Sequence, residues 1–289
     1  MALRYAFIRE HAEMYPVGLM CRLLGVSRSG YHASRCRPMS PRDSADIALI
    51  ARLHEIDAEH RRAAGVIKMW RVLRAEKNPC GRNRVARLRR CAGIQTLRTQ
   101  RLQSKPAPQQ KEPPAPNLVN RKFKVAVPNR VWVGDMTQIT TRTGISHLSI
   151  FLDLSTHAVI GWAMGTSQTA ALAVQTIEAA MERYRPPPGL VCHTDQGSPY
   201  GSKKFRDYLE SKGAIASMSR KGNCHDNAVA ESFFSNLKNE LTHHFVYEDH
   251  AAAVAAVKDH IEVYYNTIRL HQSLGYKTPA QVQAQHMCC

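Results

Sequence analysis

The chain has 289 residues, is 44% hydrophobic and carries a net charge of +17. That length exceeds one average domain and suits a catalytic domain with a smaller companion. The absence of any apolar run of about 18 residues excludes a membrane-spanning helix, and the positive surplus points to a polyanionic partner, nucleic acid first.

The charge is uneven along the chain. Residues 1–104 hold 21 Lys and Arg against 8 Asp and Glu, and Arg71–Arg101 hold ten basic residues and one acid, Glu76. The opening MALRYAFIRE carries charge where a signal peptide needs its apolar core, so the expectation is a cytoplasmic, nucleoid-associated protein. VGLMCRLL at 17–24 has helical apolar spacing. Gly25 suits the left-handed position past a helix, and Ser27 suits the N-cap of a short helix through Tyr31. That order fits helix-turn-helix grammar and, equally, an ordinary helical hairpin. Further helices are expected over 44–59, 65–77 and 82–92. In the last, RNRVARLRRCAG, Val85, Leu88 and Cys91 share a face while Arg84, Arg87 and Arg90 lie elsewhere around it. A helix laid along phosphates has this pattern.

Residues 105–116, KPAPQQKEPPAP, contain five prolines in twelve positions. No helix or central strand runs through such a stretch. The expected organisation is therefore a basic helical region over 1–104, a Pro-rich linker over 105–120 and a catalytic domain over 121–285. After the linker the period changes to two. VWVGDMTQIT (131–140), ISHLSIFLDL (145–154) and HAVIGWAM (157–164) predict an antiparallel meander with short turns. An amphipathic helix over 167–184, stopped by Pro186-Pro187-Pro188-Gly189, precedes a short strand LVCHTD (190–195). A helix near 202–212, a strand near 214–218, a helix near 227–241 and a final helix near 248–265 complete an α/β fold, a mixed five-stranded sheet flanked by helices.

Three acids stand out. Asp135 lies mid-strand in apolar surroundings, where a lone charge is costly unless paired or metal-bound. Asp195 ends a short strand, the place where open α/β sheets put functional groups. Glu231 lies one turn into a helix, beside Phe233 and Phe234. Two strand carboxylates and one helix carboxylate form an oxygen donor set for two Mg²⁺ or Mn²⁺ ions, the arrangement for in-line phosphoryl displacement. The eight cysteines include no C-x-x-C pair and read as reduced thiols. His193, His225, His243 and His244 near Cys192 and Cys224 match no zinc spacing.

The words around these acids carry a resemblance. VWVGDMTQI, HTDQGSPY, SMSRKGNCHDNAVAESFFSNLKNEL and YNTIRLHQSLGYKTPAQ, with 35 residues between Asp195 and Glu231, resemble the D-D-35-E transposases and retroviral integrases. They are most similar to the OrfB-type transposases of insertion sequence family three, and with RLLGVSRSGYHAS the resemblance spans nearly the whole chain. It implies a ribonuclease H-like core preceded by an all-helical DNA-binding region. It further implies that Asp135, Asp195 and Glu231 are catalytic metal ligands and that Lys238, seven residues after Glu231, contacts transposon-end DNA. Asn227 shares that helical face and either orients a ligand or phosphate or caps the helix. His193 shares the face of Asp195 and either supports it or packs in the sheet. Arg220 and Lys221 are expected on phosphates; Arg269 and His271 have a DNA or a folding role. The implied partners are double-stranded DNA, other copies of the chain on that DNA, and an upstream OrfA-type protein as partner or fusion. Where the family often carries Tyr-Gly-x-Arg-Arg, residues 64–70 read AGVIKMW. The competing readings are a non-catalytic regulator that binds the element ends and a metal-dependent nuclease that cuts without joining.

Overall fold

The computed structural model describes residues 2–36, 40–97, 114–120, 125–220 and 227–287. Contacts divide the chain into two units, Met1–Arg52 and Leu53–Cys289. The first contains α1 (Ala2–Glu10), α2 (Val17–Leu23), α3 (Arg28–Cys36) and the start of α4 (Pro41–Glu59). Gly25 takes φ +62 after α2, as the helix stop requires. Ser27 Oγ accepts from Gly30 N at 3.0 Å and so caps α3. Ile8, Met20, Cys21, Val26 and Tyr31 form a small core.

The second unit takes in the end of α4, then α5 (Val66–Ala75) and α6 (Arg82–Cys91), together with the sheet. The sequence reading divides the chain at residues 105–120, and much of that stretch lies outside the described residues. The contacts separate the units earlier because residues after α4 are tied to the C-terminal part. Arg61 pairs with Asp259 at 2.6 Å and lies over the Tyr264 ring. The Tyr264 hydroxyl donates to the His60 carbonyl at 3.0 Å, and Arg71 lies over the Tyr276 ring. On α6, Val85 and Leu88 are buried as expected, but Cys91 is exposed. The buried stripe ends with Leu88, and the chain turns at Gly93 with φ +67.

Five strands form one sheet among the described residues: β1 (Val131–Thr141), β2 (Gly144–Asp153), β3 (Val159–Gly165), β4 (Val191–Thr194) and β5 (Ile215–Met218), in the order β3-β2-β1-β4-β5. The β1–β2 and β2–β3 pairs are antiparallel; β1–β4 and β4–β5 are parallel. The tight β2–β3 turn is built on buried Asp153, which accepts from Asn129 N, Ser155 N and Thr156 N. Side chains alternate across the sheet. Val133, Ile139, Leu148, Ile150 and Leu152 face α10 (Ala228–Leu237) and α11 (His250–Lys258). Trp132 and Phe151 face α7 (Ala170–Tyr184), α8 (Ser198–Gly201) and α9 (Lys203–Ser211). Both faces are thus covered, which is why β2 is buried from Leu148 through Asp153.

Helix α7 starts at Ala170 because Thr169 Oγ1 accepts from Leu172 N, and it ends where Arg185 turns left-handed, just before the prolines. The last two expected helices are not uniform. After α10 the chain widens into a π-helical turn, Lys238–Thr242, and α11 passes into another, Asp259–Tyr265. A final helix, α12, spans Pro279–Met287. Among the described residues no helix is long and apolar enough to cross a membrane.

Candidate active site

Strand β1 holds Asp135 at mid-length, directly after Gly134. Gly134 has no Cβ for a steric reason. A Cβ there would lie 2.5 Å from Cε1 of Phe151, whose ring covers the position. Strand β4 runs parallel to β1 with Val133 opposite His193. The same register, carried two residues further, brings Asp195 beside Asp135 at the carboxyl end of β4. Asp135 Oδ1 accepts from Met136 N at 2.7 Å, and Asp195 Oδ1 from Gly197 N at 2.9 Å.

Burial is the largest influence on both carboxyls and raises both pKa values above the usual carboxylate range. Asp135 is raised further by the charge of Asp195 and then of Glu231. The Met136 N–H and the Lys238 ammonium act against this rise, as the Gly197 N–H does at Asp195. These influences bring all four charged groups into one neighbourhood. Glu231 sits in the first turn of α10, exposed, where the helix N-terminus favours an anion. Lys238 is half-buried at the end of α10, where the π-helical turn begins.

Two half-buried carboxyls, the charge of Asp195 raising the pKa of Asp135, form a site whose repulsion a divalent cation would relieve. The donor set is all oxygen, as Mg²⁺ and Mn²⁺ require, so the residues fit such an ion. The fit is a pair with a third acid at longer range. Among the described residues, no three Asp, Glu, His or Cys side chains close around a common point.

Asn227 is buried at the N-cap position of α10, yet its side chain does not cap. Its Nδ2 donates instead to the Gly134 carbonyl at 3.2 Å. That bond ties the start of the Glu231 helix to the residue preceding Asp135. His193 is fully buried, with Nδ1 at 2.9 Å from Ser217 Oγ and Nε2 at 3.2 Å from Ser219 Oγ. Ser217 also accepts from Leu118 N, so the imidazole links β4, β5 and the segment entering the sheet.

Arg220 is exposed just beyond β5, and Lys221 lies outside the described residues. Arg84 is half-buried and Arg87 and Arg90 are exposed on α6, which packs against α5. Two groups near the site escaped the sequence reading. Tyr200 is buried close enough to Asp135 and Asp195 that their charges add to burial in holding its phenol protonated. It sits inside the HTDQGSPY word, the one signal that pointed to it. Glu240 pairs with Arg269, buried; the two are 29 positions apart and no sequence pattern links them.

Two family models described as "Integrase core domain" match residues 126–224 and 212–279, and one described as "HTH-like domain" matches residues 42–101. A Shigella sonnei protein, the insertion element IS600 uncharacterized 31 kDa protein, is 34% identical over 267 residues, covering 92% of this chain and 98% of its own. The Escherichia coli transposase InsF for insertion sequence IS3fB is 32% identical over 296 positions, covering 99% and 100%. A Lactococcus lactis transposase for insertion sequence element IS904 is 43% identical over 164 residues, 57% of this chain and 65% of its own. Among solved structures, a chain of the simian T-cell lymphotropic virus intasome aligns over 81% of this chain and 73% of its own at 17% identity, TM-score 0.47. The HTLV-2 integrase catalytic core solved with magnesium aligns over 54% and 97% at 20% identity, TM-score 0.42.

Proposed function

This chain belongs to the insertion-sequence transposases of the IS3 family, and from that premise we propose that Asp135, Asp195 and Glu231 are the carboxylates that carry its chemistry. The enzyme is a DNA transposase with an integrase core and an HTH-like region. The reaction at the element ends is strand cleavage followed by joining of the freed 3′-hydroxyl to a target phosphate. The observation that supports the site is the half-buried Asp135–Asp195 pair that the parallel β1–β4 register brings together, with burial holding both carboxyls above their ordinary pKa.

Asp135 and Asp195, with Glu231 approaching from α10, would hold two divalent ions, Mg²⁺ or Mn²⁺. Bound there, the ions supply activation of the attacking hydroxyl and stabilisation of the leaving oxygen. The protein's own contribution is positioning and charge. Asn227 fixes α10 against β1, and with it the approach of Glu231 to Asp135. Lys238 offers an ammonium to a phosphate of the element end. Tyr200 is buried and held protonated beside the carboxylates, so this phenol is no nucleophile, and the exchange passes from one DNA oxygen to another at phosphorus. The basic helices carry the remaining DNA contact, with Arg84, Arg87 and Arg90 of α6 and Arg220 and Lys221 after β5 on phosphates. Other copies of the chain and an upstream OrfA-type protein complete the working assembly.

The test uses a labelled element end, target DNA and Mg²⁺, with wild type against Asp195→Asn. Wild type should cleave and join, and Asp195→Asn should bind the end but do neither. Cleavage that survives Asp195→Asn overturns the site. Binding without cleavage by wild type makes the protein a regulator, and cutting without joined product makes it a nuclease.

A further inference from the structure

Two π-helical turns lie among the described residues, and an ion pair joins the first to the segment that follows the second. The first, Lys238–Thr242, is closed by His243 N bonding to Lys238 O at 3.0 Å. The second, Asp259–Tyr265, leads into Arg269, whose N bonds to Tyr264 O at 2.8 Å. Both bonds span five residues. Such turns are rare, occur mostly as single-turn bulges and cluster at functional sites. Something outside the turn must therefore hold it.

Arg269 supplies that support. Its Nε lies 3.0 Å from both carboxylate oxygens of Glu240, and its Nη2 lies 2.8 Å from Oε1. Both side chains are only 9% exposed. A guanidinium fork fixes direction as well as distance, which an ammonium does not. The neighbouring tail residue Tyr265 sets its ring edge-on against Phe233 of α10, with centroids 4.8 Å apart. The tail therefore grips the helix at Phe233 and again at Glu240. Lys238 lies between these two points, at the junction where the α-helix becomes π.

Among the described residues, the other charged groups nearby make no hydrogen bond or close ion pair with Glu240. Lys68 of α5 approaches both Glu240 and Arg269, and its ammonium is weakened by burial. His260 and His271 are buried beside Arg269, and burial with that neighbouring charge keeps both rings neutral. The guanidinium is thus the group that aims Glu240.

We propose that Arg269 is a positioning residue for the transposition reaction: by its two-point hold on Glu240 it fixes the π-helical turn and thereby directs Lys238 towards the carboxylates and the element end. The proposal rests on the reading of Lys238 as an end contact. The experiment measures affinity of the full chain for a labelled duplex carrying its element end, for wild type, Lys238→Ala, Arg269→Lys, Glu240→Gln and the two doubles with Lys238→Ala. Thermal melting of every variant accompanies it. Lys238→Ala is expected to weaken binding about tenfold. Arg269→Lys keeps the charge and Glu240→Gln keeps the shape, and each is expected to weaken binding about as much. In the doubles the losses should not add, each binding within about twofold of Lys238→Ala alone. A merely structural role lowers the melting temperature and the folded fraction but leaves the affinity of the folded protein unchanged. Wild-type affinity in folded Arg269→Lys and Glu240→Gln, or losses that multiply in the doubles, overturns the positioning role while leaving Lys238 as an end contact. Wild-type affinity in Lys238→Ala overturns the reading of Lys238 itself, and the route through it with it.

Discussion

Replacing Gly134 by Ala tests whether the carboxylate pair depends on the packing beneath it. The added Cβ would meet Phe151 at 2.5 Å from Cε1 and 2.6 Å from Cζ. Carbon atoms rest about 3.5–4.0 Å apart, so roughly 1 Å must be found. The Phe151 ring cannot provide it by leaving. It is fully buried, with the Tyr200 and Phe205 rings each centred 6.3 Å away. The strand must give, and the residue that moves with Gly134 is Asp135. Overpacking of this kind costs about 1–3 kcal/mol of stability. A shift of roughly 1 Å at a reacting centre costs about 10²-fold in rate. Thermal melting and a strand-joining assay read the two effects separately. Adding Phe151→Leu to Gly134→Ala removes the clash and should recover much of both losses. A Gly134→Ala protein that melts and joins like wild type refutes the reasoning, as does a double variant with no recovery.

Further outcomes follow from the same geometry. Mg²⁺ should raise the melting temperature of wild type, by about 2.7 kcal/mol of stability at a hundredfold excess over Kd, and leave the Asp135→Asn/Asp195→Asn protein unmoved; equal rises in both would put the ion elsewhere. Burial first, then Arg269, lowers the Lys68 pKa to about 8 from 10.5. Between those values the unfolded chain binds more protons than the folded one, so stability rises with pH across pH 8–10.5, and the penalty is fully present below pH 8. Lys68→Met should therefore raise the melting temperature at pH 7 and flatten that slope; an unchanged slope would show that other groups produce it. Asn227→Asp keeps the side-chain shape but has no amide to donate to the Gly134 carbonyl. Loss of that bond is worth about 1–3 kcal/mol, and joining should fall at least about tenfold; wild-type joining would remove Asn227 from the site's framework.

The parts of this fold visible in the sequence are those set by neighbours close in the chain. Alternating side chains located β1, β2 and β3, and Gly25 and Ser27 located the end of α2 and the start of α3. Asp195 and Glu231 were visible because a family-like word surrounds each, and the approach of Asp195 to Asp135 follows from the parallel β1–β4 register. What stayed hidden depends on partners distant in sequence. Gly134 reads as a weak strand residue until Phe151 is placed over it. Asn227 reads either as a ligand or phosphate contact or as a cap, but the Gly134 carbonyl, 93 positions earlier, takes its amide. The helix expected over 227–241 has an unbroken apolar pattern, and no local signal marks the widening at Lys238, because the Glu240–Arg269 pair that accompanies it spans 29 positions. Cys91 has the right spacing to continue the buried face of α6, but it is exposed.

The strand order also governs when this site comes into being during folding. Strands β1, β2 and β3 follow one another through tight turns and pair locally. The β1–β4 pairing joins residues sixty positions apart, across β2, β3 and α7. Closing that long loop is the slow kind of step, since its entropy is lost before its contacts are gained. Asp135 and Asp195 straddle that seam. A chain that has formed only the local meander therefore holds Asp135 without its neighbour, and the carboxylate pair exists only once β4 has closed onto β1.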